Sequence, residues 1–123
     1  AGISFENIDY INAHGTSTLI GDKIEIECIK SIFSTNLKKL KMSSTKSAIG
    51  HLLGASGGVE SIYSICALQN NQIPPTLNLI DPIIESEGID LVPNNAIDHK
   101  TSCILSNSFG FGGTNASIIM KSI

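Results

Sequence analysis

Two histidines and a lysine stand in runs of small polar residues. His14 lies in Asn12-Ala13-His14-Gly15-Thr16-Ser17-Thr18, and Lys46 and His51 share Ser44-Thr45-Lys46-Ser47-Ala48-Ile49-Gly50-His51. Glycine and serine leave room for a ligand to pack against the main chain. Two imidazoles and an ammonium in such surroundings read as a polar substrate site. The run after His14 adds three hydroxyls and a glycine, which offer donors and acceptors without bulk. A histidine after a strand, taken singly, is more often a hydrogen-bonded structural residue.

Between Ser43 and Gln69 the only ionisable acids and bases are Lys46, His51 and Glu60. Charge in so apolar a stretch costs several kcal/mol unless each group is paired. One account is a buried Lys46–Glu60 pair with His51 as a cap. The other is a lysine that sets the electrostatics of a nearby imidazole. A neighbouring cation disfavours imidazolium, which would leave His51 neutral and able to donate a hydrogen bond to developing negative charge.

A third motif is Asn107-Ser108-Phe109-Gly110-Phe111-Gly112-Gly113-Thr114-Asn115. It lacks the lysine of a P-loop and the spacing of a dinucleotide fingerprint, so phosphate binding is rejected. Phenylalanines separated by glycines read as a mobile gate over an apolar channel. The alternative is a plain glycine-rich hairpin with core phenylalanines.

The elements that must carry these motifs follow from patterning. Ile8 to Ala13 reads as a short buried strand that runs straight into the first histidine motif. Gly21-Asp22 opens a helix to about Ser34, with Asp22 as its cap and a stripe of Ile24, Cys28, Ile29, Ile32 and Phe33. Lys23 and Glu27 form an i,i+4 pair. Lys39 to Ser44 reads as a second strand. Ser56 to Asn70 reads as a helix apolar nearly all round and therefore buried, with Val59, Ile62, Tyr63 and Cys66 on one face. Ile73-Pro74-Pro75-Thr76 stops that helix and runs extended. Asn78 to Asn95 reads as an irregular surface connection. Thr101 to Ser106 and Ala116 to Lys121 are strands around the glycine-rich turn. The order β-α-β-α-β-β predicts an α/β domain with a mixed sheet layered with helices.

Composition bounds the alternatives. The 123 residues carry a net charge of -3, with 41% hydrophobic and 15% charged residues, so the chain is one domain or part of one. Faint acidity argues against a nucleic-acid surface, and Lys38, Lys39 and Lys41 read as a solvated turn. Cys28, Cys66 and Cys103 are odd in number and lie in apolar runs. They read as buried free thiols in a reducing compartment, with no metal site among them. None sits in a small-residue elbow where a nucleophilic thiolate would be activated. No run reaches membrane-spanning length and no signal peptide is seen. The chain opens on Ala1-Gly2 without methionine, which reads as an excised fragment, a processed chain or a tag scar.

Together the three motifs closely resemble the C-terminal half of β-ketoacyl-acyl-carrier-protein synthases, with the type II elongating enzyme of fatty acid synthesis as the match. The resemblance runs from Tyr10 through Met120. It implies the second half of a thiolase-like α-β-α-β-α fold, residues 1–123 being that C-terminal domain, with the cysteine-bearing N-terminal half absent. It implies decarboxylative condensation of malonyl carrier protein with an acyl chain held on that cysteine. His14 and His51 are then the paired imidazoles that hydrogen-bond the malonyl thioester carbonyl, and Lys46 is the lysine beside the second. Phe111 is the gate and its N–H part of an oxyanion hole. Thr16 and Thr18 meet the pantetheine arm, Phe109 is a substrate-binding residue, and Glu60 supports the network. No cofactor is implied, since substrates ride on the phosphopantetheine of acyl carrier protein. The resemblance also implies a homodimer in the full-length family, a cytoplasmic or plastid-type location, and no membrane or nucleic-acid partner. This chain alone is expected to be inactive, and to expose the face that packs on the other half. A polyketide ketosynthase is the rival enzyme reading, and a non-catalytic acyl- or partner-binding module the other.

Overall fold

The computed structural model describes residues 1–123. Its main sheet has four strands, β1 (Tyr10–Asn12), β2 (Lys41–Ser43), β5 (Cys103–Phe109) and β6 (Asn115–Lys121), in the order β2-β1-β5-β6. β1 runs parallel to both β2 and β5, and β6 closes antiparallel on β5. A two-stranded antiparallel ribbon, β3 (Gln72–Ile73) with β4 (Ile97–Asp98), lies apart from it. The mixed sheet of an α/β domain is therefore as expected, though the ribbon had no sequence signal beyond two residues per strand.

β1 is buried on both sides, and its alternation sorts two layers. Ile11 and Ala13 face α1 (Leu19–Ile32), where they pack with Ile26, Ile29, Phe33, Leu40 and Met42. Each of these buried side chains larger than alanine contributes roughly 1.5–3 kcal/mol. Tyr10 faces the other way, toward α3 (Ser56–Asn70), with Ala67, Ile73, Val92 and Ile104. At the start of β1, Asp9 Oδ2 accepts the amides of Ser102 and Cys103 at 2.7 and 3.0 Å and the Ser102 hydroxyl at 2.8 Å. That carboxylate ties the beginnings of β1 and β5.

The structure corrects several expectations. α1 begins at Leu19 behind Thr18, and Asp22 lies in the first turn, where its carboxylate accepts the Ser17 amide at 3.1 Å. A carboxylate there also complements the positive end of the helix. The buried face of α1 is Glu25, Ile26, Ile29 and Phe33, while Ile24, Cys28 and Ile32 are exposed. The rotation follows from Glu25, which is drawn inward by backbone amides. α3 spans the expected residues but is not buried all round. It turns Ser56, Glu60, Ser64 and Ala67 to the sheet, and leaves Ile62 (61% exposed), Ile65 and Cys66 outside. Of the thiols, only Cys103 is buried. Lys41 is no solvated turn residue, because it opens β2 and pairs with Asp90 at 2.8 Å. The 78–95 connection contributes buried Ser86, Ile89 and Val92, so it is more than surface. β5 runs through Phe109, which shortens the glycine-rich turn to the residues before Asn115.

Candidate active site

His14 lies just past the C-terminal end of β1, and its loop is held from both sides. Glu25 Oε1 accepts the His14 amide at 3.0 Å and Oε2 the Gly15 amide at 2.9 Å. From the other side the Ser44 hydroxyl donates to the Gly15 carbonyl at 2.7 Å. Gly15 is required here. Its φ is +34°, and a Cβ would stand 2.7 Å from Ser44 Cβ. Burial pushes the Glu25 carboxyl up, and the amide hydrogen bonds and Asn107 pull it back down.

The second loop leaves the adjacent strand β2. Thr45 precedes the short helix α2 (Lys46–Ile49), which Gly50 ends at φ 74°. Lys46 and Glu60 are both buried and form an ion pair between α2 and α3. His51 then turns back. Its Nδ1 accepts the Leu53 amide at 3.2 Å and meets the Ser56 hydroxyl at 2.8 Å. A backbone N–H can only donate, so Nδ1 is the acceptor and the ring proton resides on Nε2. Ser56 is the first residue of α3, so the helix start orients the imidazole.

The two imidazoles meet edge-on, with ring centroids 5.5 Å apart at 86°. Phe109, at the end of β5, packs against His14 at 5.6 Å. The His14 pKa is lowered, first by burial, then by the charge of Lys46 and by His51. The lysine therefore acts electrostatically on the first histidine motif, across the strand boundary from its own loop. Three buried atoms have no hydrogen-bond partner within the chain: Asn12 Oδ1, His14 Nδ1 and Glu60 Oε2. A cavity of about 500 Å³ opens beside the loops, lined by Thr16, Lys46, Ser47, His51, Asn78 and Ile83 among others.

Of the residues expected from sequence, His14, His51 and Phe109 are in contact, and Lys46 and Glu60 form the charged pair behind them. Thr16 is half-buried and Thr18 exposed, with hydroxyls 3.2 Å apart. Phe111 is fully exposed, in the turn between β5 and β6. Sequence reasoning missed Glu25 and Ser44, which hold the His14 loop. The signal for Glu25 was a lone acid between Ile24 and Ile26.

Three comparisons place this geometry. Residues 1–80 match the family model described as the β-ketoacyl synthase, C-terminal domain. The chain belongs to that family. It is 54% identical over 121 residues to 3-oxoacyl-[acyl-carrier-protein] synthase 2 of Rhizobium meliloti (strain 1021), covering 98% of this chain and 28% of that protein. A crystal structure of a β-ketoacyl synthase from Burkholderia phymatum STM815 superposes with a TM-score of 0.91 at 35% identity, over 98% of this chain and 29% of that one. A type II polyketide ketosynthase, solved bound to the hexaketide and in complex with its acyl-carrier protein, superposes at 0.93 with 30% identity, over 98% and 29%. The chain thus spans under a third of the length of these relatives, and shares the thiolase-like fold of their C-terminal portions.

Proposed function

We propose that this chain is the C-terminal portion of a 3-oxoacyl-[acyl-carrier-protein] synthase that elongates fatty acids in the cytoplasm. The observation that carries the reading is the His14–His51 pair. Two imidazoles lie 5.5 Å apart, one with its proton on Nε2 and the other biased toward neutrality by Lys46 and burial. Neutral donors aimed at one oxygen suit a thioester carbonyl that becomes an enolate, where each is worth a few kcal/mol.

In the reaction, the malonyl carboxylate leaves as CO₂ and the electrons of its C–C bond pass into the enolate. His14 and His51 hold the enolate oxygen by hydrogen bonds. The enolate carbon attacks an acyl thioester on a cysteine of the N-terminal half, and the cysteine thiolate leaves as the 3-oxoacyl product forms. Thr16 and Thr18 line the approach of the pantetheine arm, Phe109 and Phe111 flank the acyl path, and Glu60 neutralises Lys46. Acyl carrier protein is the partner that delivers both substrates, and no resident cofactor is needed. Identity of 54% to an elongating synthase, against 30% to the polyketide ketosynthase, favours fatty acid over polyketide chemistry.

The test is condensation by the full-length gene product with acyl and malonyl carrier proteins, compared with His14→Ala and His51→Ala. Both variants should lose 3-oxoacyl product, and residues 1–123 alone should make none. Product from either variant at the parent rate would sink the assignment.

A further inference from the structure

The polar layer between the sheet and α3 contains a line of hydrogen bonds whose direction is set by its last member. Ser43 Oγ stands 2.6 Å from the carbonyl oxygen of Pro74. A carbonyl only accepts, so the Ser43 proton is committed there. The 2.8 Å contact between Ser43 Oγ and the Tyr10 hydroxyl must then be donated by Tyr10. The Tyr10 oxygen is left as an acceptor, and Asn12 Nδ2 donates to it at 3.3 Å. The Asn12 amide is thereby oriented, with Nδ2 toward Tyr10 and toward Thr45 Oγ1 at 3.4 Å, and Oδ1 turned away. Tyr10, Asn12, Ser43 and Thr45 are all buried, so water does not compete for these groups, and each bond polarises the next.

The line ends on the two loops of the active site. Asn12 lies two residues before His14, and Thr45 immediately precedes Lys46. We propose that the Tyr10 hydroxyl is a positioning group for the condensation, fixing the Asn12 amide that sets the His14 loop against the Lys46 loop. The inference rests on the reading of this site as a condensing centre. Without the hydroxyl, nothing in the line distinguishes the two ends of the Asn12 amide. It can then rotate, exchange Nδ2 for Oδ1 against Thr45, and let the loops drift apart. Tyr10→Phe keeps the ring that packs on Ala67, Ile73, Val92 and Ile104, so the core on that side of the sheet persists.

The test uses the full-length synthase as wild type, Tyr10→Phe, Ser43→Ala and the double variant. Acylation of the enzyme by acyl carrier protein is read by intact mass, and the malonyl-dependent step by CO₂ release. Each single variant should lower kcat of the malonyl step about 10–100-fold, since a misplacement of about 1 Å costs rate on that scale. KM for malonyl carrier protein should stay within about threefold, which separates loss of positioning from loss of binding. Acylation should stay within about twofold, and the double variant should be no worse than the poorer single, as expected of groups acting in one line. Unchanged kcat in both singles, losses that multiply in the double, or a parallel fall in acylation would overturn the proposal. If Tyr10→Phe does not fold, Ser43→Ala decides by the same split. A wild type that fails to condense sinks the functional reading itself, whereas an active wild type with indifferent variants sinks only the role of Tyr10.

Discussion

Glu25 accepts the backbone N–H of His14 at 3.0 Å, so a buried acid on α1 determines where the imidazole of the neighbouring loop begins. Its second oxygen takes the Gly15 amide at 2.9 Å. Burial raises the Glu25 pKa above its ordinary value. A raised carboxyl opposes folding as pH climbs from the unfolded pKa through the folded one, so the charge costs stability at neutral pH. The loop it organises is what the fold obtains in return.

Glu25→Gln should therefore separate stability from activity. The amide cannot accept both N–H groups, since its NH₂ end must face one of them. In the full-length protein, on the proposed function, condensation should fall at least about tenfold, as expected when aimed groups are misplaced. Stability at neutral pH should move by no more than about 1–2 kcal/mol, because relief of the buried charge offsets the lost hydrogen bond. Denaturant unfolding alongside the condensation assay reads both. A variant with full activity would show that the carboxylate is dispensable to the loop.

Lys46 and Glu60 make the opposite case. Both are buried, Lys46 pairs with Glu60 Oε1, and Glu60 Oε2 has no hydrogen-bond partner in the chain. Lys46→Met should destabilise by about 3–5 kcal/mol by stranding the glutamate, and adding Glu60→Leu should recover much of that. Activity should not return with stability, because the charge that biases His14 is still gone. Equal stability of the single and double variants would contradict the pairing.

How much of this was legible in the chain depended on local chemistry. His14, Lys46 and His51 stood out because polar groups in small-residue runs have few other uses, and their assembly needed only two adjacent parallel strands. α3 was legible in extent but not in orientation. Glu60, Ser56 and Ser64 lie at i, i+4 spacing and form the buried stripe, yet an apolar count gives them no weight. Glu25 was hidden for the same reason. Its burial depends on amides eleven and ten residues away, which no periodicity records. Cys28 and Cys66 were misplaced with the helix faces that carry them.

The His14 imidazole should stay neutral to lower pH than the ordinary 6.5, since burial, Lys46 and His51 all disfavour its cation. The acid limb of the malonyl-dependent rate should accordingly fall below 6.5. Stability follows the same sign: a depressed histidine pKa gives stability that is present above the unfolded value and is lost as pH falls toward the folded one. An NMR titration of the His14 ring, assigned with His14→Ala, checks this directly. A midpoint at or above 6.5 would contradict it, and Lys46→Met should shift it upward.

Gly15→Ala tests the loop geometry without touching a functional group. The new methyl would meet Ser44 Cβ at 2.7 Å, on a backbone with φ +34°. Positive φ and a clash together should cost about 1–3 kcal/mol. Unfolding midpoints of wild type and variant measure it, and an unchanged midpoint would mean that the loop relaxes freely.

Residues 1–123 expressed alone should self-associate. Ile62, Ile65, Leu53 and Cys66 lie outward on α3 and the turn before it, and Leu19, Ile20 and Ile24 outward on α1. Outward apolar residues on both helices, one on each side of the sheet, seek cover. Light scattering after size exclusion should show oligomers, and Ile62→Glu with Ile65→Glu should shift the population toward monomer. A monodisperse parent chain would show that these faces need no cover.

The Asp9 clamp on Ser102 and Cys103 also has a kinetic meaning. β1 gains its neighbour β5 only when Tyr10 finds Ile104, which closes a loop of most of the chain. Closing roughly ninety flexible residues costs about 4 kcal/mol of entropy before that pair forms. Local elements such as α3 and the β5–β6 hairpin can form far earlier, since their partners are close in sequence. β1 can meet β2 across a short loop, so it is the β1–β5 pairing that is expected among the last pieces to lock. Until that pairing forms, an α3 already made would present Ile62 and Ile65 to water, and the expected consequence is a window for misassociation in newly made chains.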